Sequence, residues 1–123
     1  MATNSAALIM SIISQIEASD FDRLYEIEQQ AHLVPWSFGT LKNNQGARYL
    51  NLKLIENNQI IGFAICQTVL DEATLFNIAI VPSHQGNGLG KLLLNELIAR
   101  LKEKGVQTIW LEVRESNPAR FLY

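Results

Sequence analysis

The sequence has few of the residues that mark several classes of protein. Its 123 residues include one cysteine, two histidines and three prolines, and the net charge at pH 7 is only −2. A single cysteine excludes an internal disulfide framework. His32 and His84 stand without a cysteine or a carboxylate at metal-ligand spacing, so we predict no metal site. Such a small net charge does not predict broad affinity for nucleic acids or membranes.

Long hydrophobic runs are also missing. No apolar stretch approaches the roughly 20 residues that a membrane-spanning helix needs. The apolar start lacks the basic region of a signal peptide, because the first Lys or Arg is Arg23. Residues 1–9 are interpreted as a leader or a tag, with Met10 as the natural start. We therefore predict a soluble, cytoplasmic protein with one domain over residues 1–123.

The lone cysteine, Cys66, lies in an apolar run over residues 61–69. A buried, unreactive thiol in a reducing compartment is favoured over a nucleophile. Trp36 and Trp110 are likewise interpreted as anchors of the core rather than as ligand contacts.

Hydrophobic periodicity and turn residues predict a mixed α/β chain. Asn57-Asn58 indicates a tight hairpin, Ser37 a helix start and Gly105 a helix end. The predicted strands are residues 12–17, 49–56, 60–70, 74–81 and 108–113, and the predicted helices are residues 20–32, a short one after Ser37, residues 88–104 and a last one from Asn117. The buried stripe predicted for helix 88–104 consists of Leu89, Leu92, Leu93, Leu97, Ile98 and Leu101.

The order of these elements predicts the sheet. A strand, a crossover helix and a strand between residues 74 and 113 imply a parallel pair. The hairpins before them imply antiparallel neighbours. We therefore expect a mixed, mostly antiparallel sheet flanked by helices on both faces.

A glycine-rich turn between strand 74–81 and helix 88–104 is the strongest chemical signal. Glycines at the start of a helix let backbone N–H groups point at one anion, and the helix dipole favours negative charge there. The P-loop pattern fails because Gln85 and Leu92 replace a required glycine and hydroxyl. The spacing of Gly86, Gly88 and Gly90 differs from the dinucleotide fingerprint. The pattern Q-x-x-G-x-G is satisfied, although an ordinary strand–helix turn would also use such glycines.

With Gln85, Gly88 and Gly90 after a strand, the chain resembles the GNAT superfamily of acetyl-coenzyme A-dependent N-acetyltransferases. Within that family it is most similar to the bacterial ribosomal-protein-alanine N-acetyltransferases. The resemblance runs from about Ile12 to Tyr123 and is carried by residues 27–29, 31–32, 35–37, 44–46, 48–51, 71–79, 110–114 and 116–117.

The resemblance implies where acetyl-CoA would bind. The pyrophosphate would lie against Gln85, Gly86, Asn87, Gly88, Leu89 and Gly90. Backbone groups of Ile78, Ala79 and Ile80 would bond the pantetheine arm and stabilise the thioester oxyanion. Asn117 would contact coenzyme A, although an Asn before Pro is also a helix cap.

Glu112 and Tyr123 are the catalytic candidates. Glu112 interrupts an apolar strand, where a carboxylate is costly unless it is partnered or functional. The resemblance makes Glu112 the base that takes the amine proton, and the alternative is an ion pair at a strand end with Arg114 or another cation. Tyr123 matches the family's acid for the departing thiolate, and the alternative is a ring packed on the sheet.

The resemblance implies transfer of acetyl from acetyl-CoA to the N-terminal alanine of a small-subunit ribosomal protein. A different amine or peptide specificity stays open, as does an acyl-CoA-binding module without turnover. The resemblance implies that the family pattern continues past the position of Tyr123 through the rest of a helix, a Gly-Phe segment and two closing strands. We therefore expect a GNAT-like sheet lacking its last two strands and self-association through the exposed sheet edge. No direct nucleic-acid partner and no membrane partner are expected.

Overall fold

Five strands form one sheet in the order β1-β2-β3-β4-β5 in a computed structural model, which describes residues 11–112. The strands are β1 (Ser11–Gln15), β2 (Leu52–Glu56), β3 (Gln59–Val69), β4 (Glu72–Ile80) and β5 (Thr108–Leu111). The helices are α1 (Phe21–Ala31), α2 (Phe38–Asn43) and α3 (Leu89–Glu103), with 3-10 turns at Ala18–Asp20 and Pro82–His84. Within these residues no helix is both long enough and apolar enough to cross a membrane.

The pairing of the strands confirms the predicted mixed sheet. β1, β2, β3 and β4 pair antiparallel in turn, and β4 pairs parallel with β5 across α3. The β2–β3 hairpin turns at Asn57 and Asn58, whose φ angles of 53° and 65° are both positive. Asparagine tolerates this conformation better than most residues, which is why the pair marks a two-residue hairpin turn.

Helix ends follow the predicted capping residues. The Ser37 side chain accepts a hydrogen bond from the Thr40 backbone N–H at 3.1 Å and so caps α2. Gly105, which follows α3 after Lys104, has a φ of +88° that only glycine adopts without strain. Both ends lie within a residue or two of the predicted positions.

Helices cover both faces of the sheet and define two apolar clusters. On one face α3 packs on alternate residues of the sheet, and this cluster includes Leu52, Leu54, Leu75, Ile78, Ile80, Leu93, Leu97 and Leu101. On the other face α1 and α2 pack on the intervening residues, and this cluster includes Phe21, Leu24, Ile27, Leu41, Phe63, Ile65 and Ala79. The strand period of two therefore sends neighbouring residues to opposite clusters.

Several local predictions are wrong. Strand 49–56 is shorter than predicted, because Tyr49 makes only an isolated bridge to Gln67 and the regular strand begins at Leu52. In α3, Leu94 is buried whereas Leu92 is 44% exposed, so the apolar stripe faces the sheet at a slightly different angle. Trp110 is 55% exposed on the short β5 and does not anchor the core. The predicted leader and the helix from Asn117 lie outside the described residues.

Candidate active site

The glycine loop connects the end of β4 to the start of α3. Gln85 has extended backbone, and its side-chain Nε2 donates to the Ile80 carbonyl at 2.8 Å, which ties the loop back to the strand. Gly86 and Gly88 have φ angles of +84° and +79°, so glycine is required at both positions. Asn87 between them is exposed.

The first turn of α3 presents its N–H groups at this loop. Its first intrahelical hydrogen bond runs from the Leu92 N–H to the Gly88 carbonyl at 3.0 Å. In helical geometry the N–H groups of Leu89, Gly90 and Lys91 therefore precede the bonded ladder. A Cβ added at Gly86 or Gly88 would meet no atom within 4 Å, so open space lies beside the loop. An anion can occupy that space and accept hydrogen bonds from these N–H groups.

A β-bulge interrupts β4 at Phe76. Ile65 of β3 pairs with Asn77, and Cys66 pairs with Leu75, so Phe76 has no partner in the register. Such a bulge redirects the backbone groups that follow it. Sequence reasoning missed the bulge, because no residue in this strand signals one.

Beyond the bulge, one edge of β4 presents backbone groups to the candidate site. The Val81 N–H donates to the Ile61 carbonyl at 2.8 Å, and hydrogen-bonded pairs alternate along an antiparallel ladder. The groups of Ala79 therefore point toward β3, whereas those of Ile78 and Ile80 point toward the β5 side. The Ile80 carbonyl already accepts a hydrogen bond from the Gln85 side chain. Of the predicted trio, Ile78 and Ile80 thus offer groups on this edge.

β5 lies beside only the first half of β4. The parallel register runs from Glu72 with Thr108 to Leu75 with Leu111, and the Glu112 N–H then donates to the Leu75 carbonyl at 3.0 Å. Within residues 11–112, no strand pairs with this edge of β4 between Phe76 and Ile80. Among the residues that the structure describes, an open edge of backbone groups therefore leads from Glu112 to the glycine loop.

Glu112 lies at the end of that β5 pairing, level with the bulge. It is exposed, so the sequence argument from the cost of burying a carboxylate in this strand is wrong. Ile109 packs with the α3 cluster, and alternation places Trp110 and Glu112 on the opposite face, the one that α1 and α2 cover. The arrangement brings an accessible carboxylate beside the open edge of β4. Tyr123 and Asn117 lie outside the described residues.

The two histidines do not stand alone. The His32 Nε2 lies 3.3 Å from Glu28 Oε1, and the His84 Nε2 lies 3.4 Å from Glu56 Oε1. Each histidine therefore has one carboxylate partner, and the spacing of Glu28 and His32 could have indicated a helical pair. Within the described part of the chain, no group of three or more His, Cys, Asp and Glu could hold a metal ion.

Cys66 is confirmed as a buried thiol. Its side chain is inaccessible, and burial raises its pKa to about 12, offset in part by a hydrogen bond from the Thr74 backbone. A thiol with so high a pKa is not a thiolate near neutral pH, so Cys66 is no nucleophile.

Known proteins share both the sequence and the fold of this chain. Residues 11–123 match the Acetyltransferase (GNAT) family. The ribosomal protein bS18-alanine N-acetyltransferase of Haemophilus influenzae is 88% identical over 114 residues, which are 93% of this chain and 78% of that protein.

The chain belongs to the GNAT acetyltransferase family.

Two solved structures support this assignment. The ribosomal-protein-S18-alanine N-acetyltransferase of Escherichia coli is 54% identical and superposes with a TM-score of 0.86 over 93% of this chain and 74% of that one. The PaiA N-acetyltransferase of Thermoplasma acidophilum, in complex with coenzyme A, has a TM-score of 0.78 at 20% identity over 91% of this chain and 84% of that one, which shows a shared fold. The chain thus has the GNAT fold and is an acetyl-CoA-dependent N-acetyltransferase.

Proposed function

We propose that this protein transfers the acetyl group of acetyl-CoA to the N-terminal alanine of ribosomal protein bS18. The observation that carries the proposal is the 88% identity to the Haemophilus influenzae enzyme named for that reaction. The donor loop is complete, from the Gln85 bond that fixes it to the open first turn of α3.

Acetyl-CoA would lie along the open edge of β4 and across the start of α3. Its pyrophosphate would accept hydrogen bonds from the backbone N–H groups of residues 86–91, where the glycines leave room and the helix dipole favours negative charge. The pantetheine arm would pair with backbone groups of Ile78 and Ile80. The slightly acidic protein would then hold an anionic donor through local dipoles rather than through its overall charge.

The chemistry joins an amine nitrogen to the thioester carbonyl carbon and breaks the carbon–sulfur bond. The Ile78 N–H is proposed to donate to the carbonyl oxygen as it gains negative charge. The Glu112 carboxylate takes the proton that the amine loses, directly or through one water. The Tyr123 hydroxyl gives its proton to the departing thiolate, and Asn117 contacts coenzyme A, both as the family pattern implies.

One exposed carboxylate suits an N-terminal amine better than a lysine. The attacking amine must be neutral, and an α-amine has a pKa near 7.7–8.0 against about 10.4 for lysine. Neutralising lysine at pH 7 therefore costs about 3.5 kcal/mol more. This difference supports the N-terminal specificity carried by the relatives' names.

A ribosomal-protein acceptor also supports a cytoplasmic location, which we propose for this protein. We further propose that it has no direct nucleic-acid partner and no membrane partner. Localisation of a fluorescently tagged copy tests it, and enrichment at the membrane would contradict it.

Peptide acetylation tests the proposed function. The chain is incubated with acetyl-CoA and two synthetic peptides that copy the N-terminus of bS18, one with a free terminal alanine and one with that amine blocked. We expect acetyl on the free α-amine only, mapped by tandem mass spectrometry. Acetyl on a lysine of the blocked peptide would indicate another specificity. Acetyl-CoA binding in calorimetry without product would indicate a binding module.

A further inference from the structure

Three buried polar side chains connect α1 to β4, and we call them the Glu28–His32–Asn77 cluster. They are 0%, 6% and 2% exposed. Asn77 Nδ2 donates to Glu28 Oε1 at 2.9 Å, and Asn77 Oδ1 lies 2.9 Å from His32 Nε2. The second carboxylate oxygen, Glu28 Oε2, accepts the Trp36 backbone N–H at 2.8 Å. One carboxylate thus ties a helix, a strand and the α1–α2 connection together.

The direction of every hydrogen bond in the cluster is determined. The Asn77 NH₂ group faces Glu28 and its oxygen faces His32, and an amide oxygen only accepts. The His32 Nε2 must then carry a proton. In the neutral ring this leaves a lone pair at Nδ1, which is buried and has no hydrogen-bond partner among the described residues. The cluster therefore has a single donor order.

The cluster lies at the reactive end of the open edge of β4. Asn77 directly follows the bulge residue Phe76 and directly precedes Ile78. It also lies on the same face of the sheet as Glu112, which is level with the bulge. Asn77 is thus one residue from Ile78, whose N–H is proposed to bond the thioester carbonyl. It is also on the face of the sheet that carries Glu112, the proposed base.

We propose that Glu28, His32 and Asn77 are positioning residues for acetyl transfer, an inference that rests on the proposed function. They hold the bulge in place and thereby fix the Ile78 N–H relative to the Glu112 carboxylate. Phe76 has no partner in the β3–β4 register, so the ladder hydrogen bonds constrain the β4 backbone weakly at this residue. This is the backbone that leads into Ile78, whose N–H must be fixed for the reaction. Side-chain hydrogen bonds from α1 supply the missing constraint.

The expected effect is on rate rather than on donor binding. A misplacement of about 1 Å costs on the order of 100-fold in rate. The acetyl-CoA pyrophosphate would bind at residues 86–91, several residues farther along the chain. Loss of the cluster should therefore lower kcat and leave the Kd for acetyl-CoA nearly unchanged.

The first experiment compares two buried asparagines, Asn77 in β4 and Asn51 directly before β2. Asn51 is 8% exposed and also makes two side-chain bonds, to the Cys66 N–H at 3.0 Å and the Asn44 carbonyl at 2.7 Å. Asn77→Leu and Asn51→Leu should both lower the unfolding temperature. Only Asn77→Leu should lower kcat for the alanine peptide, by about 10- to 100-fold, with the Kd for acetyl-CoA within twofold of the wild type.

The second experiment replaces Glu28, so that a failure of Asn77→Leu to fold still leaves a test. Glu28→Gln can keep every link if the Asn77 amide turns over and the His32 proton moves to Nδ1. Its kcat should stay within about threefold, whereas Glu28→Leu should lose about 10-fold or more. In ¹⁵N NMR, His32 should carry its proton on Nε2 in the wild type and on Nδ1 in Glu28→Gln.

The outcomes separate this proposal from the proposed function. An active wild-type chain whose folded Asn77→Leu variant keeps kcat within threefold, or loses no more than Asn51→Leu, overturns the positioning role alone. A folded Glu28→Leu variant that keeps kcat within threefold overturns it as well, and a wild-type His32 protonated on Nδ1 overturns the donor order assigned to the cluster. A wild-type chain that acetylates no peptide overturns both proposals together.

Discussion

The Glu112 N–H donates to the Leu75 carbonyl of β4 directly after β5, and its side chain is exposed. Exposure lets solvent or an approaching amine reach the carboxylate directly, and the proton it takes can pass to bulk water. Nothing about the strand's interior requires a carboxylate there, because the strand is largely exposed. The residue therefore suits a role in chemistry better than a role in stability.

We expect Glu112→Gln to lower kcat by about 10²–10⁴-fold, the usual contribution of a general base. Glutamine keeps the shape but accepts no proton, so the Kd for acetyl-CoA should not change. The matched control is Glu72→Gln, which alters an exposed carboxylate at the other end of the β4–β5 pairing. Steady-state kinetics and calorimetry measure both. A loss under threefold at neutral pH, or an equal loss in the control, would leave Glu112 without a catalytic role.

The buried thiol of Cys66 should make the free energy of unfolding depend on pH in the alkaline range. Burial raises its pKa to about 12 from 9.0, so above pH 9 the unfolded chain ionises this thiol while the folded chain does not. The stabilisation is present below pH 9 and is lost as the pH rises toward 12. The gap in unfolding free energy between wild type and Cys66→Ala should shrink by about 1.4 kcal/mol between pH 7 and pH 10. Urea titrations measure this gap, and a constant gap would contradict it.

At the scale of elements, the start of α3 and the glycine loop form one unit. The loop is fixed at one side by Gln85 on Ile80 and continues at the other into the first turn of the helix. The left-handed glycines make this path available without strain. The loop and helix are therefore the part of the molecule where a donor phosphate would be recognised.

Gly88→Ala should weaken acetyl-CoA binding by at least tenfold. The added methyl enters the open space beside the loop and also forces alanine into a left-handed conformation, which costs roughly 1–2 kcal/mol. Gly105→Ala is the control, since its φ of +88° imposes the same strain at the far end of α3. Calorimetry with acetyl-CoA compares the two. Equal affinities in both variants would contradict the assignment of the loop.

At the scale of the whole molecule, the sheet separates two apolar clusters and ends in a short, exposed strand. β5 is the outer strand of the sheet that residues 11–112 form, and Trp110 and Leu111 are 55% and 52% exposed. An edge strand with exposed apolar side chains is a template for pairing with another chain. This surface gives a physical basis for the predicted self-association.

The 123-residue chain should therefore show a mass above that of a monomer in light scattering. Leu111→Lys places a charge on the edge strand and should shift the population toward monomer. Leu92→Lys is the control, because Leu92 is also exposed, at 44%, but lies on α3. A chain that is monomeric at all accessible concentrations, or that responds equally to both variants, would contradict the prediction.

Within residues 11–112, the sequence by itself determined the order of the strands and helices and the position of the glycine loop. These features depend on neighbours a few positions apart, such as the Asn57-Asn58 turn, the Ser37 cap and the periodicity of α3. The parallel β4–β5 pair could also be predicted, because a strand, a crossover helix and a strand leave few other arrangements. Resemblance to a family supplied the proposed roles.

Tertiary structure alone decided which groups reach the candidate site. The bulge at Phe76 turns Ile78 and Ile80 to the open edge and Ala79 to β3, and it exists only in the pairing of two strands. The Glu28–His32–Asn77 cluster joins residues 45 and 49 positions apart. Buried polar groups need hydrogen-bond partners, and these partners can be far away in the sequence. Local sequence patterns therefore do not predict such a cluster. The exposure of Glu112 was fixed in the same way, by how little covers β5.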